Sequence, residues 1–174
     1  GKAPVVLENR ETNLAVARGA AYYGAGGQSR PGTRIEAGAA RAVYLEVEGE
    51  GSGDSSEKSL PRTLLCLLPH GTASDTNVIV SKPELHLRLN TRVSFQTWQS
   101  TRHESDLPGA LVPFDGEEFK PLPPLLTIAE IPPWIKGGTL DQVPVDLKSQ
   151  LNALGLVEVE CVSKTPDLAC SWPL

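Results

Sequence analysis

Histidines, cysteines and paired carboxylates are the side chains that could do chemistry in this 174-residue chain, and they are scattered. The three histidines are His70, in the turn Pro69-His70-Gly71-Thr72, His86, on the solvated side of an alternating run, and His103, in a polar loop. No HxH or HExxH spacing joins them, so no local zinc chelate is predicted. Cys66, Cys161 and Cys170 form no CxxC pair, and an odd number of distant thiols predicts neither a disulfide framework nor a zinc site. Cys66 and Cys161 read as reduced cysteines inside strands. Glu46 with Glu48, and Glu158 with Glu160, sit two apart in alternating runs, so each pair lies on one solvated strand face rather than forming an acid–base couple. No GxSxG elbow is present. Gly24-Ala25-Gly26-Gly27 lacks the strand-then-helix frame of a phosphate loop, and no Walker-type lysine loop occurs. These residues predict no catalytic site and no metal site.

The elements that would position any site read mostly as strands. In residues 84–98, Leu85, Leu87 and Leu89 alternate with Glu84, His86, Arg88 and Asn90, and Val93 and Phe95 alternate with Ser94 and Gln96. The polar break Asn90-Thr91-Arg92 between them predicts an antiparallel hairpin with one buried face. A one-residue slip would expose the whole apolar set, so its register is strongly specified. Residues 41–48 alternate as a strand, and the unbroken apolar run 62–68 predicts an inner strand covered on both faces. Residues 77–80 predict a short strand ended by Ser81-Lys82-Pro83, and residues 110–112 a brief one. Pro121, Pro123 and Pro124 deny central hydrogen bonding to residues 120–128, which are expected to run along a sheet edge. Residues 143–151 and 156–162, joined through Asn152 and Gly155, predict a second hairpin. Many short strands with glycine and proline punctuation predict a mainly β fold, a β-sandwich or open barrel of short antiparallel strands.

One helix is predicted at about residues 13–23, capped by Thr12 or Asn13 and ended by Gly24 or Gly26-Gly27. Leu14, Ala17 and Ala21 share a face small enough for close approach by a partner element. Val5-Val6-Leu7 reads as a strand or a packed extension, and residues 24–38 as a loop carrying Arg30 and Arg34. Residues 49–59, GEGSGDSSEKS, read as a polar linker.

The length fits one domain, or a small domain with a piece of another attached. A net charge of −5 offers no basic stripe for nucleic acid. No apolar run is long enough for a membrane span, and no leader pattern is read, so a soluble, cytoplasmic protein is expected. The chain starts at Gly1 and contains no methionine, which reads as an excised segment of a longer polypeptide.

NLAVARGAAYYG, residues 13–24, resembles the last helix of the nucleotide-binding domain in the seventy-kilodalton heat-shock (DnaK-like) chaperones. The strand at 42–47 and LCLLPHGT at 65–72 are similar to the opening of that family's β-sandwich substrate domain. LNTRVSFQTWQST, LPPLLTI and VPVDLKSQLNALGLVEVECVS resemble a divergent bacterial branch of the family. The resemblance implies that residues 1–38 are the end of an actin-like ATPase domain, with its helix and a loop, and that residues 39–174 are a substrate-binding-like β-sandwich. It implies the peptide-binding portion of a chaperone without catalytic activity of its own, but carries over no individual groove residue; contacts to an extended apolar polypeptide are expected at Leu64, Leu65, Leu67 and His70, on the apolar strand and its turn. The alternative is a structural or regulatory domain that docks onto its own ATPase domain or one fixed protein partner. The family's phosphate-binding loops are not read in this chain, so no cofactor is expected in it, and the resemblance leaves ATP and magnesium to the full-length protein.

Overall fold

Leu64, Leu65, Cys66, Leu67 and Leu68 are all buried, a run that needs cover on both faces of its strand. The computed structural model describes residues 11–29, 38–47, 62–131 and 141–174 and shows how that cover arises. Val5-Val6-Leu7, Arg30, Arg34, Glu48 and the linker 49–59 lie outside the described residues. The chain divides into two compact units, Gly1–Glu36 and Ala37–Leu174.

In the first unit a turn of 3-10 helix, Thr12–Leu14, leads into α1 (Ala15–Ser29). The helix does not stop at Gly24, as expected, but continues through Gly26 and Gly27. A glycine weakens a helix by about 1 kcal/mol without breaking it, and Gly24 keeps helical backbone here. Arg18 Nη2 pairs with Glu11 Oε2 at 2.6 Å.

The second unit is a β-sandwich. Its strands are β1 (Ala42–Val47), β2 (Thr63–Leu68), β3 (Asn77–Arg88), β4 (Arg92–Ser100), β5 (Leu111–Pro113), β6 (Lys120–Ile128), β7 (Gln142–Leu151), β8 (Val157–Ser163) and β9 (Ser171–Pro173). Among the described residues they form a five-stranded sheet, β5-β2-β1-β4-β6, and a four-stranded sheet, β3-β7-β8-β9, with every ladder antiparallel. Leu45, Leu65 and Leu67 of the first meet Leu87, Val143, Val145, Leu147, Val159, Cys161 and Trp172 of the second in the main core. Each such side chain contributes roughly 1.5–3 kcal/mol when fully buried. β2 is an inner strand, β6 an edge strand, and β7 and β8 a hairpin, as their patterns predict.

The hairpin expected over residues 84–98 does not form. β3 pairs with β7, Leu87 opposite Val143, whereas β4 pairs with β1 and β6, Tyr44 opposite Trp98 and Ser94 opposite Leu126. The polar break is an arch between sheets. Asn90 takes a positive φ of 54°, its N–H donates to the Ala129 carbonyl at 2.8 Å, and its Oδ1 accepts from the Ile131 N–H at 3.3 Å. Alternation fixes which side chains point inward, not which strand lies alongside, and both arms of the arch point inward. Nor does Ser81-Lys82-Pro83 end a strand. β3 runs through it, with a register shift between Val80 and Leu85 that absorbs the proline on an edge.

Between β4 and β5 the chain crosses the outward face of the five-stranded sheet, and between β5 and β6 it crosses back. Phe119, Phe114, Ala110 and Val112 from these crossings and β5 pack on Ala42, Tyr44, Leu64 and Cys66. The crossings supply the second cover that the apolar run of β2 demands.

Candidate functional site

The four residues expected to contact a polypeptide are not gathered at one surface. Leu65 and Leu67 point into the core between the sheets, Leu64 points outward beneath the crossings, and all three are buried. His70 is exposed in the turn that follows β2, where the Thr72 N–H and hydroxyl both donate to the Pro69 carbonyl, at 3.3 and 2.8 Å. The three leucines therefore lie beneath the surface, and His70 on it. The continuous apolar run that marks an inner strand also removes its side chains from any ligand outside.

Sheet edges offer a different surface. β5 and β9 are three-residue edges. β3 is long; its first half exposes Asn77 and Ile79, and its second half carries Lys82, Glu84 and Arg88, charges that protect that half of the edge from pairing. In β6, Pro121, Pro123 and Pro124 block the first half. Residues 125–128, Leu-Leu-Thr-Ile, hold neither proline nor charge. There Leu126 is 52% exposed and Ile128 53% exposed, facing outward beside Ser94 and Arg92 of β4. On the inward side the Thr127 hydroxyl donates to the Pro173 carbonyl at 2.9 Å, tying this edge to β9.

A polar cluster beneath the crossings was not foreseen. Tyr44 Oη donates to Asp106 Oδ2 at 2.9 Å. His103 Nδ1 lies 3.1 Å from the same oxygen, and His103 Nε2 lies 3.0 Å from Glu118 Oε2. Phe119 stacks on the imidazole with centroids 4.8 Å apart and meets Tyr44 edge-on at 5.1 Å. Burial first, then the hydrogen bond to Asp106, holds the Tyr44 phenol well above the usual tyrosine range. Burial, helped by the Asp106 charge, pushes the Cys66 thiol up to about 12. Both imidazole nitrogens face carboxylates. Among the described residues, no group of three histidine, cysteine or acidic side chains converges to hold a metal. In the sequence Tyr44 falls on the side of the β1 alternation opposite Val43, Leu45 and Val47, and no spacing joins it to His103, Asp106 and Glu118.

A shallow recess of about 380 Å3 lies beside this cluster, lined by Glu46, Arg62, Gln96, Trp98 and Pro121. Trp98 Nε1 donates to Glu46 Oε2 at 2.9 Å, and Arg62 stands over the Phe114 ring at 5.6 Å. At the tip of the β7–β8 hairpin, Asn152 Oδ1 accepts the N–H groups of Leu154 and Leu156, each at 3.0 Å. The turn so built holds Leu154 83% and Leu156 60% exposed.

No protein-family model and no curated protein matches the chain. Among the described residues, no helix is long and apolar enough to cross a membrane.

Proposed function

We propose that this chain is the polypeptide-binding portion of a DnaK-like chaperone, and that it takes an extended apolar segment as an added strand along residues 125–128 of β6. One observation carries the reading: this is a sheet edge free of proline and charge, and it presents two half-exposed aliphatic side chains on one face. Strand addition derives affinity from main-chain hydrogen bonds and selectivity from alternate side chains. A bound segment would set two apolar residues, spaced by one, against Leu126 and Ile128. The sandwich architecture and the resemblance of residues 13–24 and 65–72 support the family. On this reading the chain is cytoplasmic and does no chemistry itself, and ATP with magnesium is handled by an upstream ATPase domain.

Calorimetric titration with extended apolar peptides tests it. Micromolar binding is expected, weakened at least about ten-fold by Leu126→Lys, since a charge desolvated at that edge costs more than 1.4 kcal/mol. A folded sample that binds no peptide in the panel overturns the reading.

The second reading, a docking domain for its own ATPase domain or one fixed protein, is favoured by the Asn152 turn, which spends four ordered hydrogen-bonding groups on displaying Leu154 and Leu156. Stable one-to-one association with a single native protein, lost in the double substitution Leu154→Ala with Leu156→Ala, would select it.

A further inference from the structure

Residues 101–106 and 115–119, the two stretches that cross the outward face of β1, lie outside any strand and are joined through one side chain. His103, on the first stretch, reaches Asp106 with Nδ1 and Glu118, on the second, with Nε2. A neutral imidazole carries one N–H. It can donate to one of these carboxylates and must turn a lone pair towards the other. Only the imidazolium donates to both, and charge-assisted hydrogen bonds of this kind are about twice as strong as neutral ones.

The other groups facing the ring leave its charge without a rival inside the cluster. Tyr44 approaches edge-on at 6.2 Å and gives its hydroxyl proton to Asp106, and Cys66 lies behind that carboxylate. Burial holds both of them protonated through the neutral range. Arg102 Nη1 stands 3.4 Å from Glu118 Oε1, but its side chain is mostly exposed and its attraction is screened. Phe119 stacks on the ring and carries no charge.

We infer that His103 is a proton-operated clasp: it pins the two crossings together when it carries its second proton, and losing that proton loosens them from the outward face above Tyr44, Leu64 and Cys66. The contacts are complete with imidazolium and ionised carboxylates. Loss of the second imidazole proton leaves one of the two contacts without a donor. The device stands whether or not β6 binds a polypeptide.

Amide hydrogen exchange at Glu118 and Phe119, whose N–H groups both donate to the Asp115 carbonyl at 3.2 Å, reads the clasp directly. Rates corrected for intrinsic pH dependence would be compared at about pH 5 and about pH 8, below the point at which unfolded thiols ionise, in the wild type and in His103→Gln. Protection in the wild type is expected to fall about ten-fold between them, and in the variant, whose amide cannot titrate, to stay level. Equal wild-type protection at both pH values, or the same fall in the variant, overturns the inference. Should the variant not fold, an NMR titration of the wild type decides. A shared midpoint for the His103 ring and the Phe119 amide supports the clasp, and separate midpoints refute it.

Discussion

The Ser149 hydroxyl, 1% exposed, donates to the Leu67 carbonyl at 2.7 Å, joining the four-stranded sheet to the five-stranded one across 82 residues of chain. Ser149 occupies an inward position of β7, in line with Val143, Val145, Leu147 and Leu151, where the pattern calls for an apolar residue. The carbonyl it serves belongs to the residue that the β1–β2 register skips, where Leu68 stands opposite Val43 and Cys66 opposite Tyr44. Ser149→Ala would strand that acceptor in the core, and urea denaturation should register a loss of about 1–3 kcal/mol. A change within about 0.5 kcal/mol would mean that the carbonyl finds another donor.

Core and edge leucines should separate cleanly. Leu87→Ala empties a position in the main core and should lower stability by about 2–5 kcal/mol. Leu126→Ala, on the open part of β6, should leave stability within about 0.5 kcal/mol while reducing peptide affinity. Equal losses in denaturation would place Leu126 inside the cooperative core and weaken its assignment to a binding edge.

Thiol reactivity follows burial. Cys170 is half-buried and should react with an aromatic disulfide reagent in the native state, whereas Cys66 and Cys161 should react only on unfolding. Burial pushes both of those thiols up to about 12, whereas an unfolded thiol ionises from about pH 8.5. The unfolded chain therefore loses these protons first. Their contribution to stability is whole below that point and is lost as the pH climbs towards 12. The urea midpoint should fall with rising alkalinity, and Cys161→Ala should flatten the slope. An unchanged slope would exclude this thiol as the cause.

Two glycines with positive φ should respond differently to alanine. Gly155, at φ 78°, has open space where a Cβ would go, so Gly155→Ala carries only the left-handed backbone penalty of roughly 1–2 kcal/mol. A Cβ on Gly109, at φ 82°, would sit 2.7 Å from the Lys82 carbonyl oxygen of β3. Gly109→Ala should cost more, because backbone must move as well. Thermal unfolding of the two variants ranks them, and the reverse order would show that the 107–110 connection yields easily.

The legibility of the fold in the sequence varied with what each element had to satisfy. β2 could be read as an inner strand because both of its faces are apolar, β6 as an edge because three prolines cannot donate, and β7 with β8 as a hairpin because Asn152 and Gly155 build a local turn. The pairing of β3 and β4 was out of reach. Their alternation shows a buried face, and the same face serves a hairpin or an arch. The choice rests on partners more than 50 residues away for β3 and on β1 and β6 for β4. The His103 cluster was hidden for a related reason: Tyr44, His103, Asp106 and Glu118 meet only after two connections fold back over a sheet, and no sequence spacing records that. The leucines of β2 lie on the inner strand that their apolar run predicts, and Leu64, Leu65 and Leu67 are buried there.

The arch at Asn90 also has a consequence during synthesis. A hairpin would let β3 and β4 pair as soon as both left the ribosome. Here β3 must wait for β7, which begins at Gln142, so at about 5–20 residues per second its apolar stripe stays unpaired for some seconds. β4, by contrast, emerges with β1 already made. The five-stranded sheet can start to assemble on the nascent chain while the strand just before β4 is still without a neighbour. The charges of Lys82, Glu84 and Arg88 guard the second half of β3 through that interval as well as in the finished fold.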